Sequence, residues 1–388
     1  MLADTDAGSV ITAAQSGAQW GYKLLLLQVI LIPILYLAQE LTVRLGIVTG
    51  QGHGELIRTH FGPFWAWISV STLVLACVGS LITELSGMAG VGLLFGIPAW
   101  ISMTVVIAGL IVMAWTGSYL SVERSAMAIG AFELVFLLVA WKAHPQPAAM
   151  ANGLMQLPLH DPRYLYLAAA NIGAVIMPWM VFYQQAAVVD KGLKPEHLRA
   201  ARWDTAIGAV ITQVIMGAVL IATAATLGRD NPNAPLDTVQ QIAQALMPFL
   251  GVRAGEILFA MGMTGAALVA TIVVSLTAAH GVGEVTGFKH SLEHPPREAP
   301  WFYGIYTVSL CLGGALVASG INLVNLSVAV EVMNALLLPI VLGFLYLLAR
   351  RALSGPYRLG GAYAVLVAIV VLATTGFGLY AGLSGAFA

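Results

Sequence analysis

Two short stretches of the sequence combine groups that bind cations with residues that interrupt helices. The first is Asp6-Ala7-Gly8-Ser9, which places a carboxylate, a flexible glycine and a hydroxyl at the start of an apolar segment. The second is the run from Gly173 to Pro178. Proline has no N–H, so the carbonyl of Ala174, four residues before Pro178, loses its helical partner. Both stretches therefore offer oxygen atoms inside apolar sequence.

A break at Pro178 has two interpretations. A simple proline kink is common in transmembrane helices, and Met177 taken alone is typical core filler. The stretch that begins at Asp6 favours the other interpretation, because a carboxylate within a membrane is costly and marks a functional site. Irregular backbone at that depth survives only where it is buried in protein or lines a cavity. Two interrupted helices in corresponding places of two halves indicate a transporter site near the bilayer midplane.

Composition defines the class of protein. The 388-residue chain is 59% hydrophobic and 9% charged, with a mean hydropathy of +0.87 and a net charge of −1. Soluble domains carry about 25% charged residues, so this is an integral membrane protein. The near-neutral charge gives no sign of nucleic-acid binding. We find no nucleophile–base pair and no HExxH pattern, and we therefore predict that the protein is not an enzyme.

The elements that must position these groups are membrane-spanning helices. A spanning helix needs about 20 mainly apolar residues. The stretch 1–23 is long enough for only half a span, so either the protein begins with a half-helix or its true start lies upstream of Met1; we favour the second. With that truncated helix the sequence predicts about eleven transmembrane helices. The complete apolar runs lie near residues 24–46, 62–86, 98–118, 122–142, 164–190, 204–228, 254–280, 301–320, 325–350 and 359–385.

The basic residues predict the orientation. Of the 17 Lys and Arg residues, twelve lie in the loops on the side of residues 191–202 and five in those on the side of residues 143–163. Cytoplasmic loops carry the excess of positive charge. We therefore place the 191–202 loop in the cytoplasm of a multi-pass protein of the plasma or inner membrane.

The spacing of the two breaks predicts an internal repeat. The first element begins at Asp6 and the sixth contains Pro178, which is the separation of two five-helix units. We predict a single transmembrane domain over 1–388, with a first inverted repeat at 1–163, a second at 164–350 and an extra C-terminal helix at 351–388. The repeats follow from spacing alone, because the sequence shows no strong self-similarity.

Several motifs together resemble the NRAMP family of divalent-metal transporters. The stretch "DAGS" followed by "SGAQWGYK" resembles the start of that family's first helix, which carries a DPGN motif, and "VRLGIVTG" (43–50) resembles its second helix. The stretches "LLFGIP" (93–98) and "GAVIMPW" (173–179) resemble its third-to-fourth connection and its sixth helix. The resemblance covers nearly the whole chain. It implies an all-α LeuT-type inverted-repeat bundle in which helices 1 and 6 are discontinuous.

The resemblance also implies a metal site. The family's metal-binding aspartate corresponds to Asp6, its asparagine to Ser9, its coordinating carbonyl to Ala174 and its thioether to Met177. The family's glutamine in the tenth helix corresponds to Glu331. A thioether suits Mn²⁺ or Fe²⁺, whereas Mg²⁺ prefers hard oxygen ligands. We expect a transition metal, and the added oxygen ligands keep a magnesium transporter as the alternative.

Departures from the family pattern bear on mechanism. The motif proline is replaced by Ala7, so the first helix is expected to unwind at Gly8 and Ser9 alone. Trp179 and Gln184 stand where the family has two histidines.

The remaining departures also concern groups that the family uses for proton movement. The third-helix aspartate aligns with Ser80 or a neighbour, and this leaves Glu84 as the nearby acid. The span 301–320 contains no arginine. Glu84 and Gln184 are the residues left for a relay or a supporting role. The sequence therefore gives no basis for proton coupling, and an uncoupled facilitator or channel is a second hypothesis.

The expected partners are the divalent cation, which is carried as substrate and not held as a cofactor, and the lipid bilayer. We expect no nucleic-acid partner, and we expect a monomer.

Overall fold

A computed structural model describes residues 5–116, 131–230, 235–246, 251–288, 294–320 and 322–387 of the chain. All regular secondary structure within these residues is helical. The sixteen α-helices, numbered here in chain order, are α1 Ala7–Trp20, α2 Leu25–Thr49, α3 His53–Phe61, α4 Pro63–Leu94, α5 Ala99–Thr116, α6 Val135–Lys142, α7 Pro147–Met155, α8 Pro162–Val175, α9 Pro178–Asp190, α10 Leu198–Ala225, α11 Leu227–Asp230, α12 Val239–Leu246, α13 Val252–Thr286, α14 Pro300–Ala318, α15 Leu323–Arg351 and α16 Gly361–Ala386.

The expected membrane-spanning architecture is confirmed. Within the described part of the chain, nine helical stretches are long and apolar enough to cross a bilayer. One of them, Ala7–Thr49, joins the predicted half-helix to the first complete span. The predicted span at 122–142 lies partly outside the described residues, and its second half corresponds to α6.

The start of α1 is set by Asp6. Its carboxylate accepts a hydrogen bond from the backbone N–H of Ser9 at 2.6 Å, which makes Asp6 the N-cap of the helix. An N-cap aspartate satisfies an N–H group that has no partner within the helix. The helix is regular from Ala7 onward, so the expectation that Gly8 and Ser9 would be unwound is wrong. The irregular backbone instead precedes Ala7, because the Asp6 cap holds the next residues in helical geometry.

The break between α8 and α9 lies where Pro178 predicts it. Ile176 (φ −118°, ψ 79°) and Met177 (φ −83°, ψ 138°) have non-helical backbone, and α9 begins at Pro178. Proline is well suited to the first position of a helix, because the N–H that it lacks would have no helical partner there. The last bond of α8 runs from the N–H of Ile176 to the carbonyl of Ile172 at 2.9 Å. The carbonyl of Ala174, in the last turn of α8, has no helical partner because Pro178, four residues later, lacks an N–H.

Glycine allows α8 to approach α15 closely. A Cβ atom on Gly173 would lie 2.8 Å from the backbone nitrogen of Ala335 and would overlap the backbone of Glu331. Real Cβ atoms do not tolerate such distances, so only glycine permits this contact. The close approach brings the backbone of α15 against the last turn of α8, one residue before Ala174.

A buried ion cluster anchors the cytoplasmic end of α2. Glu40 is paired with Arg44 one turn later and with Arg202 of α10, whose Nε lies 2.7 Å from the carboxylate. Arg44 also donates to the backbone carbonyl of Tyr357 at 3.3 Å. Buried charges need such partners. The cluster therefore links α2, α10 and the turn between α15 and α16.

Candidate functional site

A hydrogen bond joins the start of α1 to the break between α8 and α9. The hydroxyl of Ser9, in the first turn of α1, donates to the carbonyl of Ala174 at 2.9 Å. This is the carbonyl whose helical partner Pro178 removes. Both residues are buried, with exposures of 1% and 3%. The start of α1 and the end of α8 therefore meet in the protein interior.

Carboxyl groups from three helices surround this contact. Glu84 of α4 accepts a hydrogen bond from the backbone N–H of Ala7 at 3.0 Å and shares a side-chain hydrogen bond with Asp6. Asp6 also acts electrostatically on Glu331 of α15. Asp6, Glu84 and Glu331 are each 0% exposed. The N-terminus of α1, whose helix dipole attracts negative charge, lies among these acids.

Gly8 brings Glu331 against α1. A Cβ atom on Gly8 would overlap Oε1 of Glu331 and would lie 3.0 Å from the hydroxyl of Thr83. The other carboxylate oxygen of Glu331 accepts a hydrogen bond from the side-chain amide of Asn334 at 3.0 Å. Oε1 has no hydrogen-bond partner among the described residues. A buried acceptor without a partner is costly and is suited to a ligand.

The sulfur-bearing residue Met177 lies at the second break. It is the extended residue immediately before α9, and its side chain is 0% exposed. One turn later, the sulfur of Met180 lies 2.9 Å from the side-chain amide nitrogen of Gln39. The predicted relay residue Gln184 is seven positions beyond Met177, which is about 10 Å along the axis of α9. Gln184 is therefore separated from the five predicted metal ligands and lies toward the cytoplasmic side. Those ligands are Asp6, Ser9, Ala174, Met177 and Glu331.

Acidic side chains alone do not form a metal site here. No three His, Cys, Asp or Glu side chains in the described part of the chain converge closely enough to hold a metal ion. A cation at this position must therefore take neutral ligands as well. Neutral donors are available in the Ala174 carbonyl, the Ser9 hydroxyl and the Met177 thioether.

A cavity of about 1060 Å³ lies on the opposite side of the site from α3. Its lining includes Gln15 and Gln19 from the end of α1, Arg163 from the start of α8 and Asn325 from the start of α15. The basic-residue distribution places this side outside the cell. Because Asp6, Ser9 and Glu331 are buried, the cavity does not expose them to solvent, and the site is closed in this conformation.

Sequence reasoning did not identify Asn334 and Gln39 as supporting residues. Asn334 follows Glu331 by three positions, so helical spacing places both on one face and was an available signal. Gln39 contacts α9 from a helix 141 positions earlier in the sequence. Such a contact has no local signature in a single sequence.

An apolar helical bundle in which the start of one helix meets the break in another around buried acids fits the architecture of a secondary transporter. The chain matches the family model described as "Natural resistance-associated macrophage protein-like" over residues 1–384, and it belongs to this Nramp family. The family resemblance noted from the sequence motifs is thereby confirmed.

Named relatives agree with this assignment. The chain is 30% identical over 288 residues to a protein of Yersinia pestis (strain Pestoides F) named divalent metal cation transporter MntH, with 71% of this chain and 68% of that protein covered. It is 28% identical over 287 residues to a protein of the same name from Klebsiella pneumoniae (strain 342), with 70% and 67% covered.

Solved structures share the fold. The Eremococcus coleocola manganese transporter, crystallised with an aromatic bis-isothiourea substituted compound, matches with a TM-score of 0.77 at 20% identity, covering 100% of this chain and 85% of that chain. MhsT in complex with L-phenylalanine matches with a TM-score of 0.59 at 13% identity, covering 97% and 98%. The expected all-α LeuT-type fold is confirmed.

The contact between α8 and α15 gives a first prediction. Gly173→Ala forces a methyl group into the backbone of α15, so we expect a clear loss of stability, by about 1–3 kcal/mol, with the acids displaced from α1. Gly343→Ala, on α15 itself, is the matched control, since a Cβ there meets nothing within 4 Å. Thermal unfolding in detergent measures both. Equal melting temperatures for the two variants would contradict the close-packing argument.

Proposed function

We propose that this protein moves divalent metal cations across the membrane by alternating access, with Asp6, Ser9, Ala174, Met177 and Glu331 as the metal ligands. The observation that carries the proposal is the hydrogen bond from Ser9 to the Ala174 carbonyl. It joins the start of α1 to the break between α8 and α9, beside buried Asp6.

Charge supports a divalent cargo. A cation in a low-dielectric cavity must be neutralised by nearby opposite charge. Asp6 and Glu331 together supply two negative charges, which match a dication. Glu84, hydrogen-bonded to Asp6, would carry the proton that a hydrogen bond between two carboxyl groups requires. The cation and its two carboxylate ligands then form a neutral unit inside the bundle.

The neutral donors remain available while they hydrogen-bond to each other. A hydroxyl that donates its hydrogen keeps its lone pairs, and a carbonyl oxygen has two lone pairs of which Ser9 uses one. A cation can therefore contact both oxygens without separating α1 from α8. Oε1 of Glu331, which has no hydrogen-bond partner among the described residues, offers a further ligand atom.

The thioether of Met177 favours a transition metal. Soft sulfur ligands suit Mn²⁺ and Fe²⁺ better than Mg²⁺ or Ca²⁺, which take oxygen. The matching relatives are named divalent metal cation transporters, and the similar structure is that of a manganese transporter. These names support manganese as the first cargo to test, and they agree with the prediction that the protein is not an enzyme. A magnesium transporter remains the alternative, because three of the proposed ligands are carboxylate or hydroxyl oxygens.

Asp6 gives the second prediction. Asp6→Asn keeps a side-chain oxygen that can cap α1, because asparagine is as good an N-cap as aspartate, but it removes the charge. We expect Mn²⁺ binding to weaken at least a hundredfold and uptake into proteoliposomes to be abolished, while thermal stability is retained. Isothermal titration calorimetry and ⁵⁴Mn uptake measure these effects.

Glu196→Gln is the control for Asp6→Asn. The Glu196 side chain lies on the cytoplasmic surface with 74% exposure, so its variant should bind and transport as the unaltered protein does. Mn²⁺ binding that survives in Asp6→Asn would exclude Asp6 as a ligand.

The thioether gives the third prediction. Met177→Leu preserves volume but removes the sulfur, so we expect the preference for Mn²⁺ over Ca²⁺ and Mg²⁺ to fall about tenfold in competition uptake. Met180→Leu is the matched control, because that sulfur contacts Gln39 and is not a proposed ligand. Unchanged selectivity in Met177→Leu would count against sulfur ligation.

An uncoupled facilitator is the second candidate mechanism. It is favoured by Trp179, which is buried where the family has a histidine, and by Gln184 at the second histidine position. The proton between Asp6 and Glu84 lies beside the proposed metal site, and transport could carry it. Its fate distinguishes a facilitator from a proton-coupled carrier.

Vesicle pH gives the fourth prediction. In proteoliposomes that contain a pH indicator, we expect Mn²⁺ uptake to leave the lumenal pH constant, because Trp179 and Gln184 replace the two sixth-helix histidines of the family. Glu84→Gln should behave in the same way. Acidification that scales with uptake, and that disappears in Glu84→Gln, would refute the uncoupled mechanism and would assign proton transfer to Glu84.

A further inference from the structure

The short helix α3 is attached to the cytoplasmic half of α9 through a buried histidine. His53, the first residue of α3, is 0% exposed, and its Nδ1 lies 3.0 Å from the side-chain oxygen of Gln185. Its ring packs edge-on against Phe182, with ring centroids 4.8 Å apart. The Gln185 amide nitrogen donates to the backbone carbonyl of Gln51 at 2.9 Å. One glutamine therefore holds both the loop before α3 and the start of that helix.

These bonds determine which nitrogen of His53 carries hydrogen. Because the Gln185 amide nitrogen faces the Gln51 carbonyl, the other end of that amide must be the oxygen that faces His53. An oxygen accepts, so Nδ1 donates, and the neutral ring has its acceptor at Nε2. Nε2 is buried and has no hydrogen-bond partner among the described residues. A proton added at Nε2 would place a positive charge in an unsolvated position.

A carboxylate from α13 makes a second attachment of the same helix. Glu284 accepts a hydrogen bond from the backbone N–H of Gly54 at 2.8 Å, at the N-terminus of α3. A Cβ atom on Gly52 would overlap this carboxylate, so the loop approaches α13 as closely as glycine allows. Arg58 adds a hydrogen bond to the carbonyl of Val285 at 3.0 Å. The N-terminus of α3 is thus held between α9 and α13.

This contact lies between the proposed metal site and the cytoplasm. Gln185 is eight residues beyond Met177, or about 12 Å along α9. The buried amide of Gln39, against Met180, lies between these two levels. On the other side of the site is the outer cavity. The contact of α3 with α9 and α13 is therefore placed where an inner barrier of an alternating-access transporter must open.

We propose that the N-terminus of α3 is a cytoplasmic gate of this transporter, and that protonation of His53 releases it. The inference rests on the proposed transport function and adds a residue that controls access to its site. In the closed state His53 is neutral, with Nδ1–H donated to Gln185. Opening exposes Nε2 to water, and the hydrated Nε2 accepts a proton readily.

The direction of the pH effect follows from burial. Desolvation lowers the pKa of His53 to about 4, partly opposed by its hydrogen bond to Gln185. In an open, hydrated gate the pKa returns to about 6.5. Through His53 the open state therefore binds more protons between these values, and from pH 7.5 to pH 5.5 this group alone raises the ratio of open to closed gate about tenfold. The Glu284 carboxyl, which is buried in the closed gate and hydrated in the open one, acts in the opposite direction, because burial disfavours its charged form.

Other charged groups surround the gate, and they set its electrostatic background. Glu284 interacts electrostatically with Glu55 of α3 and with Asp190 of α9, so three carboxyl groups lie on the elements that meet at the gate. These groups favour a positive charge on His53 once the gate opens. The titratable and charged groups on the elements packed against this region include Glu284 and His280 of α13, Asp190 of α9, Glu84 of α4, Arg351 of α15 and Glu55, Arg58 and His60 of α3 itself.

Thiol labelling from the cytoplasmic side tests the gate. Val181, which is 0% exposed, lies one turn before Gln185 on α9. Val181→Cys is introduced into the full chain with Cys77→Ala and Cys311→Ala, and with Glu284→Gln so that this carboxyl does not titrate while an oxygen remains to accept from Gly54. A membrane-impermeant methanethiosulfonate reagent is added to inside-out vesicles without metal. The labelling rate is divided by that of Glu196→Cys in the same background, because this exposed thiol corrects for the pH dependence of the reagent.

The expected result is a tenfold rise of this ratio from pH 7.5 to pH 5.5. The rise should disappear in His53→Gln, which does not titrate, and should persist in His60→Gln, which removes an exposed histidine of the same helix. A flat ratio in the presence of His53, or an unchanged rise in His53→Gln, would overturn the proposal.

Hydrogen exchange provides a second measurement if Val181→Cys does not fold. Amides of residues 51–58 in Glu284→Gln should exchange faster at pH 5.5 than at pH 7.5 after correction for the intrinsic pH dependence, and a ratio of one would overturn the gate. Neither measurement uses metal. A negative result for the gate therefore does not affect the test of the metal site by Asp6→Asn. If Asp6→Asn shows that the metal-site proposal is wrong, the labelling and exchange results still decide whether the gate exists.

Discussion

The structure depends on one unsatisfied backbone carbonyl at membrane depth. Pro178 removes the helical partner of Ala174, and no water is available in the hydrocarbon region to replace it. The chain resolves this by bringing a second helix end to the same place, where the hydroxyl of Ser9 donates to the carbonyl. The break between α8 and α9 is therefore paired with the start of α1, and together they define a polar centre in an apolar bundle.

Close packing keeps that centre narrow. Gly8 and Gly173 each allow α15 to approach a helix end at a distance that no Cβ atom tolerates, and both contacts involve Glu331. The carboxylate is thus held against the start of α1, where Asp6 caps the helix and the positive end of the helix dipole offsets part of the negative charge. The same geometry that satisfies the backbone concentrates oxygen ligands around one point.

Much of this arrangement is readable from the sequence. Apolar runs of spanning length predict the helices, Pro178 predicts the second break, and the acid at Asp6 predicts the first. The freed carbonyl of Ala174 follows from the chemistry of proline alone. These features are local, since each depends on residues within one turn of the helix, and they are therefore visible without knowledge of the fold.

Other features depend on contacts between distant parts of the chain. The expectation that α1 would unwind at Gly8 and Ser9 is wrong, because the capping bond from Ser9 to Asp6 starts the helix at Ala7. Gly8 leaves room for the side chain of Glu331, which lies more than 300 positions away in sequence. The attachment of His53 to Gln185 is likewise non-local, at 132 positions. Hydropathy and spacing carry no information about such pairs.

The proposed metal site and the cytoplasmic contact of α3 have complementary chemistry. At the proposed metal site, acidic groups lie close together, which would allow a dication to enter a low-dielectric interior. At the cytoplasmic contact of α3, a neutral imidazole and an amide are buried so that a charge is excluded until the contact opens. A carrier needs both, because a site that binds tightly must be closed from one side while it is reached from the other.

The central claim is that a divalent cation binds where the start of α1 meets the break between α8 and α9. The most direct measurement is a crystal structure of the Mn²⁺-soaked protein with diffraction data collected at a wavelength where manganese scatters anomalously. The account predicts a single anomalous peak within about 2.5 Å of oxygens from Asp6 and Ala174, with the Met177 sulfur facing it. A peak elsewhere in the bundle, or none at this position at saturating Mn²⁺, would contradict it.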